Sequence, residues 1–140
     1  MSTKDTLSLI APPTMSAILD GTLTLLGQPV GYLSGVALTV HELNPLAHYL
    51  LATSPIAFAV GVALWVLSFN LMITRVPEKL GAMISLFICF AHLVGVSTWV
   101  MQFSYGILWV CVLWLFARFV LYTSYQHHFV DLSCDASGTT

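Results

Sequence analysis

The order of apolar and polar positions divides the chain into four long apolar runs separated by short polar punctuation. A helix needs about 20 consecutive, mostly apolar residues to cross the hydrocarbon core of a bilayer. The pattern predicts spans over about 9–28, 55–73, 80–101 and 106–125, an outer hairpin over 28–54 and a polar tail over 126–140. Pro12 and Pro13 suit the first turn of a helix, where a missing N–H costs nothing, so the first span is expected to start at Leu9 or Thr14. Residues 1–8 are polar and expected outside the membrane. Gly27-Gln28-Pro29, followed by Gly31 and Gly35, breaks the first run. The apolar, glycine-rich segment 30–40 is compatible with a loop, a re-entrant piece or the second half of a kinked span.

Asn44 followed by Pro45 is a helix start, with Asn as cap and Pro as first helical residue. Ser54-Pro55 repeats the signal, so the helix from Pro45 is expected to end near Thr53 and to lie at the interface or re-enter the membrane. Arg75, Pro77, Glu78 and Lys79 close the second span. Between Leu80 and Ala117 there is no charged side chain, so residues 102–105 must form a tight turn. The expected fold is all-α: a single domain over 1–140, an integral membrane bundle of four transmembrane helices with one short helix after the first span.

Composition supports that reading. Of 140 residues, 58% are hydrophobic and 7% charged, where a soluble domain carries about 25% charged residues. The net charge of −2 and the lack of a basic patch argue against nucleic acid as a partner. Cys89, Cys111 and Cys134 form no metal-binding or disulfide spacing and read as two core residues and one free tail thiol. Leu7–Ala11 is too short, and Pro12-Pro13 too abrupt, for a signal peptide. With both termini cytoplasmic, Lys4, Arg75, Lys79 and Arg118 all fall on or near the inner side, as the positive-inside rule requires. Tyr122, Tyr125 and Phe129 would then form one aromatic belt and Trp99, Phe103, Tyr105 and Trp109 the other.

The candidate chemistry starts at Asp20. A charge at membrane depth costs at least about 2.5–3.5 kcal/mol on insertion scales, so it is seldom there without a partner. Asp20, Thr24 and Gly27 share one face of the first span, a small and polar face suited to helix packing in lipid. Asp20 either accepts a hydrogen bond from Thr24 or stays protonated and donates one, and its candidate partners are Thr24, His92 and the Glu42 hairpin. His92 lies thirteen residues past Lys79, roughly 20 Å at 1.5 Å per residue, which brings it to a depth similar to that of Asp20. Glu42 clusters with His41, His48 and Asn44 at the hairpin cap. The polar cluster Asp20, Thr24, Glu42, Asn44 and His92 is the candidate site. Asp20, Glu42 and His92 are the candidate metal ligands for zinc or a related ion, each from a different element. His92 alone is the candidate contact for a heme or chlorophyll, with no second membrane-depth His to complete a bis-histidine pair. His127-His128 reads as a solvated pair. Each of these has a structural alternative: a buried hydrogen-bonded carboxyl, a satisfied core histidine, a polar surface cap.

Two family patterns bear on these residues. Ala91-His92-Leu93-Val94-Gly95 resembles the histidine-bearing helix of rhomboid intramembrane serine proteases, with Ser34-Gly35 in place of the nucleophile. Rhomboids need Gly at the position held here by Tyr32, and at least six spans, so the resemblance does not extend to a protease. The chain more closely resembles a family of small prokaryotic multi-span membrane proteins classed as a domain of unknown function. The resemblance rests on Asp20, Thr22, Thr24, Gly27, Gln28 and Pro29 in the first span. It continues in Glu42, Asn44 and Pro45, and in His92, Gly95 and Trp99 of a later span. It implies location in the prokaryotic inner membrane and no particular activity.

The small size and the absence of a complete catalytic set favour a non-catalytic accessory subunit or assembly factor of a larger membrane complex over an enzyme. The alternatives are an intramembrane metal-binding enzyme using Asp20, Glu42 and His92, or a proton or ion conduit with Asp20 as the titrating group. The expected partners are the lipid bilayer and either other membrane subunits or further copies of the chain.

Overall fold

In the computed structural model the backbone is described for residues 3–35 and 39–135, and side chains for 6–35 and 39–125. Five helices follow in order among these residues: α1 (Thr3–Leu26), α2 (Pro45–Thr53), α3 (Pro55–Arg75), α4 (Glu78–Val100) and α5 (Gly106–Asp135). The helical class and the four membrane-length helices are as expected, since α1, α3, α4 and α5 are each long and apolar enough to cross a bilayer. The predicted roles of Lys4, His127, His128, Phe129 and Cys134 fall on side chains outside the described residues.

Helix α1 corrects the expected start. It begins at Thr3 and carries Pro12 and Pro13 in its interior. A proline at 13 has no N–H for the carbonyl four residues back, so Leu9 is left with a free acceptor. The Ser85 hydroxyl of α4 donates to that carbonyl and also bonds Tyr125 of α5. Packing against two neighbours thus supplies what the helix cannot, and the helix continues through the prolines. Helix α5 likewise overruns its expected end, continuing to Asp135 where a polar tail was expected.

Paired contacts give the directions of the helices. Leu9 meets Ser85 and Asp20 meets His92, so α1 and α4 run parallel. Thr14 and Asn70 exchange hydrogen bonds of 3.0 and 3.3 Å, and Gly21 lies against Val62, so α3 is antiparallel to α1. Trp114 donates to Ser97 at 3.0 Å and Tyr125 meets Ser85, so α5 is antiparallel to α4. The four long helices alternate in direction, and α1 touches all three others. The main core, around Leu9, Ala17, Phe69, Ile73, Ala82 and Ile88, lies in the half nearer the start of α1.

The connections follow their sequence signals. Asn44 caps α2 by accepting from Leu46 and Ala47 backbone N–H groups, with Pro45 as first helical residue. Ser54 caps α3 by accepting from the Ala57 N–H. Residues 29–35 form turns and 39–42 are irregular, so the described part of the 30–40 segment is loop rather than a continued span. The turn after α4 needs a left-handed backbone at Tyr105, φ 62°. The expected aromatic belts lose two members to the interior. Trp99 is buried against Gly27, and Tyr125 is buried on Ser85.

Candidate functional site

The centre of the site is made by three helices. Asp20 comes from α1, where Ala17, Gly21 and Thr24 form a face of small side chains that lets α1 approach its neighbours. His92 and Gly95 lie three apart on α4 and so share a face. A Cβ added at Gly95 would fall 2.6 Å from Asp20 Oδ1, closer than atoms can approach. The missing side chain at 95 is what admits the Asp20 carboxylate to the surface of α4. Trp65, on α3, completes the set.

His92 Nδ1 lies 2.9 Å from Asp20 Oδ2, and the Trp65 indole Nε1–H donates to His92 Nε2 at 3.0 Å. An indole N–H only donates, so His92 Nε2 must present its lone pair. The neutral imidazole then carries its proton on Nδ1 and donates it to Asp20. The network assigns one tautomer and one direction: Trp65 to His92 to Asp20. A hydrogen bond to a charged group is worth about 1.5–3 kcal/mol, enough to offset most of the cost of a carboxylate at this depth. The side chains of His92 and Asp20 remain 20% and 22% exposed, so the pair sits at a cavity wall and not in solid core.

That cavity, open on part of its surface, has a volume of about 520 Å³ and is lined by α1, α3 and α4 with α2 and the hairpin at one end. Asp20, Thr24, Glu42, Asn44 and His92 all line it. The hairpin is held over it by Gln28. The Gln28 amide donates to the Thr24 carbonyl at 2.8 Å and the His41 carbonyl at 3.0 Å, and accepts from the His41 N–H at 2.9 Å. Tyr32 adds a second tie through its hydroxyl to the Leu51 carbonyl at 2.7 Å. Burial pushes the Tyr32 phenol above its ordinary pKa.

No protein-family model, curated protein or solved structure matches the chain.

The polar cluster is assembled around one cavity, but the ligand sets proposed within it are not. Among the described residues no three His, Cys, Asp or Glu side chains come together to hold a metal ion. Glu42 lines the cavity with its carboxylate Oε1 accepting from the Asn44 backbone N–H at 2.8 Å, apart from the Asp20–His92 pair. The Asp20/Glu42/His92 metal site is corrected accordingly. His92, the candidate heme or chlorophyll contact, has both ring nitrogens hydrogen-bonded in this structure, to Trp65 and to Asp20. Ser34 donates to the Gly31 carbonyl in an exposed turn, and no Ser34–His92 dyad exists. Asp20's partner is His92 rather than Thr24.

Trp65, Gly95 and Gln28 were not among the candidate residues. Trp65 stands in an apolar run with no polar neighbour to mark it, and half of it is exposed. Only Gln28 carried a signal, as a polar side chain at a glycine–proline break.

Proposed function

We propose that the protein handles protons or small cations within the membrane, with Asp20 as the titrating group and His92 as its partner. The observation that carries this reading is the 2.9 Å Asp20–His92 bond at the wall of a cavity inside a bundle of membrane-length helices. A carboxylate kept at such depth marks an ion or proton site by default. Trp65 occupies His92 Nε2, so a proton entering the cavity is taken up on the free lone pairs of Asp20. The other titratable group on the cavity wall is Glu42. Further copies of the chain would complete a path across the bilayer. The basic residues support an orientation with both termini cytoplasmic, and the family resemblance suggests the inner membrane of a prokaryote.

Reconstitution into liposomes tests this. The wild-type chain is expected to raise proton flux under an imposed pH gradient, and Asp20→Asn to lower that flux at least tenfold. Equal flux from both proteins would remove the reading.

The second reading is an accessory subunit of a larger membrane complex. It draws on the surface of α3 and α5, whose spanning segments are only 17% and 11% buried. Trp109, Phe116 and Phe119 are all exposed there, an apolar surface equally suited to lipid and to a neighbouring subunit. Stable co-purification with larger proteins after mild detergent extraction supports this reading, and a clean 15.3 kDa species counts against it.

A further inference from the structure

The cavity that carries Asp20 is far larger than a proton or a bare metal ion needs. At 520 Å³ it falls within the roughly 300–1,000 Å³ of small-molecule pockets. Small residues of three helices contribute to its wall, Ala17 and Gly21 on α1, Gly61 on α3, and Ala91 and Gly95 on α4. The wall carries two carboxylates, Asp20 and Glu42, and neither Lys nor Arg. Inside a bundle of apolar helices such an imbalance acts over a low dielectric and favours a positive guest. Phe58, Trp65 and Trp99 supply aromatic surface on the same wall, and aromatic faces attract organic cations. Thr24, 4% exposed, also lines the space, and its hydroxyl makes no hydrogen bond within the described residues. The absence of a three-ligand cluster among the described residues argues against an inorganic divalent cation. The apolar remainder of the wall calls for a ligand with a hydrocarbon body.

We propose that this cavity binds an organic ammonium ion, a protonated or quaternary amine with an apolar body. Asp20 pairs with its nitrogen, Glu42 adds negative charge at the hairpin end of the wall, and Phe58, Trp65 and Trp99 receive its body. The proposal rests on the reading of Asp20 as the working group of this cavity, and names the class of guest that the cavity takes.

Equilibrium dialysis of the purified full chain in detergent with radiolabelled benzyltrimethylammonium tests it. The expected result is saturable binding that unlabelled cation displaces and the neutral isostere neopentylbenzene does not. Asp20→Asn and Glu42→Gln should each weaken binding at least tenfold. Glu42 sits in the hairpin, outside the helix packing, so Glu42→Gln carries the test even if Asp20→Asn disturbs the bundle. No saturable binding to the wild-type chain, or binding undiminished in both variants, overturns the proposal. Proton flux without cation binding would leave the protonation reading standing and remove this one, and cation binding without flux would do the reverse.

Discussion

At Gly95, an added methyl group would sit 2.6 Å from Asp20 Oδ1 and 2.7 Å from Oδ2. The obstruction is the Asp20 carboxylate, which its bond to His92 holds against α4, so Gly95→Ala must push α1 and α4 apart or turn the carboxylate away from His92. Overpacking of this kind costs about 1–3 kcal/mol. We expect Gly95→Ala to lower stability by that amount in mixed-micelle unfolding, and the loss to shrink when Asp20→Ala removes the clashing group. A loss independent of residue 20 would show that Gly95 acts through something other than the carboxylate. Gly27 has the same logic on a larger scale, since its missing side chain seats the Trp99 ring, 2.3 Å from where a Cβ would stand.

Two elements owe their form to hydrogen bonds made outside themselves. Helix α1 survives Pro13 because Ser85 takes the Leu9 carbonyl that the proline leaves unpaired. Ser85→Ala strands that carbonyl, and leaving a buried polar group unpaired costs about 1–3 kcal/mol. Pro13→Ala restores the N–H that Leu9 lacks, so Ser85→Ala should cost measurably less in that background. Equal costs in both backgrounds, from a double-mutant cycle of unfolding free energies, would sink this account of the helix. The hairpin is the second case. Tyr32 stays neutral in its buried site, and burial raises its pKa. Its contribution to stability is therefore full below pH of about 10, the ordinary phenol value, and lost as pH rises through the raised one. Tyr32→Phe should cost about 1 kcal/mol at neutral pH and flatten the alkaline fall in melting temperature. An unchanged alkaline fall would place its cause elsewhere.

Across the whole molecule, the alternation of α1, α3, α4 and α5 puts the α3–α4 turn with Arg75 and Lys79 at the end where α1 begins. The hairpin lies at the opposite end, over the cavity. Under the positive-inside rule the hairpin faces outward. In a background without the native cysteines, a membrane-impermeant maleimide should label Leu43→Cys in intact cells and Lys79→Cys only after permeabilisation. The reverse pattern would invert the orientation, and with it the side from which the cavity is entered.

Hydrophobic length and caps belong to short stretches of chain, and both were readable without a structure. Four apolar runs determined four long helices, and Asn44-Pro45 and Ser54-Pro55 placed the starts of α2 and α3 to the residue. The depth count from Lys79 likewise brought Asp20 and His92 to one level. What no local pattern carries is which side chain satisfies a group on another helix. The prolines of α1 looked like a boundary because their cost is local, while the remedy is Ser85, 76 residues from the Leu9 carbonyl that it satisfies. Glu42, Asp20 and His92 looked like one ligand set because two carboxylates and an imidazole are donors that zinc takes. Only the packing showed that two of them pair while Glu42 engages its own turn. Asp20 had to have a partner on energetic grounds. That the partner is His92, held in one tautomer by Trp65 and reached through the missing side chain of Gly95, was decided by how three helices meet.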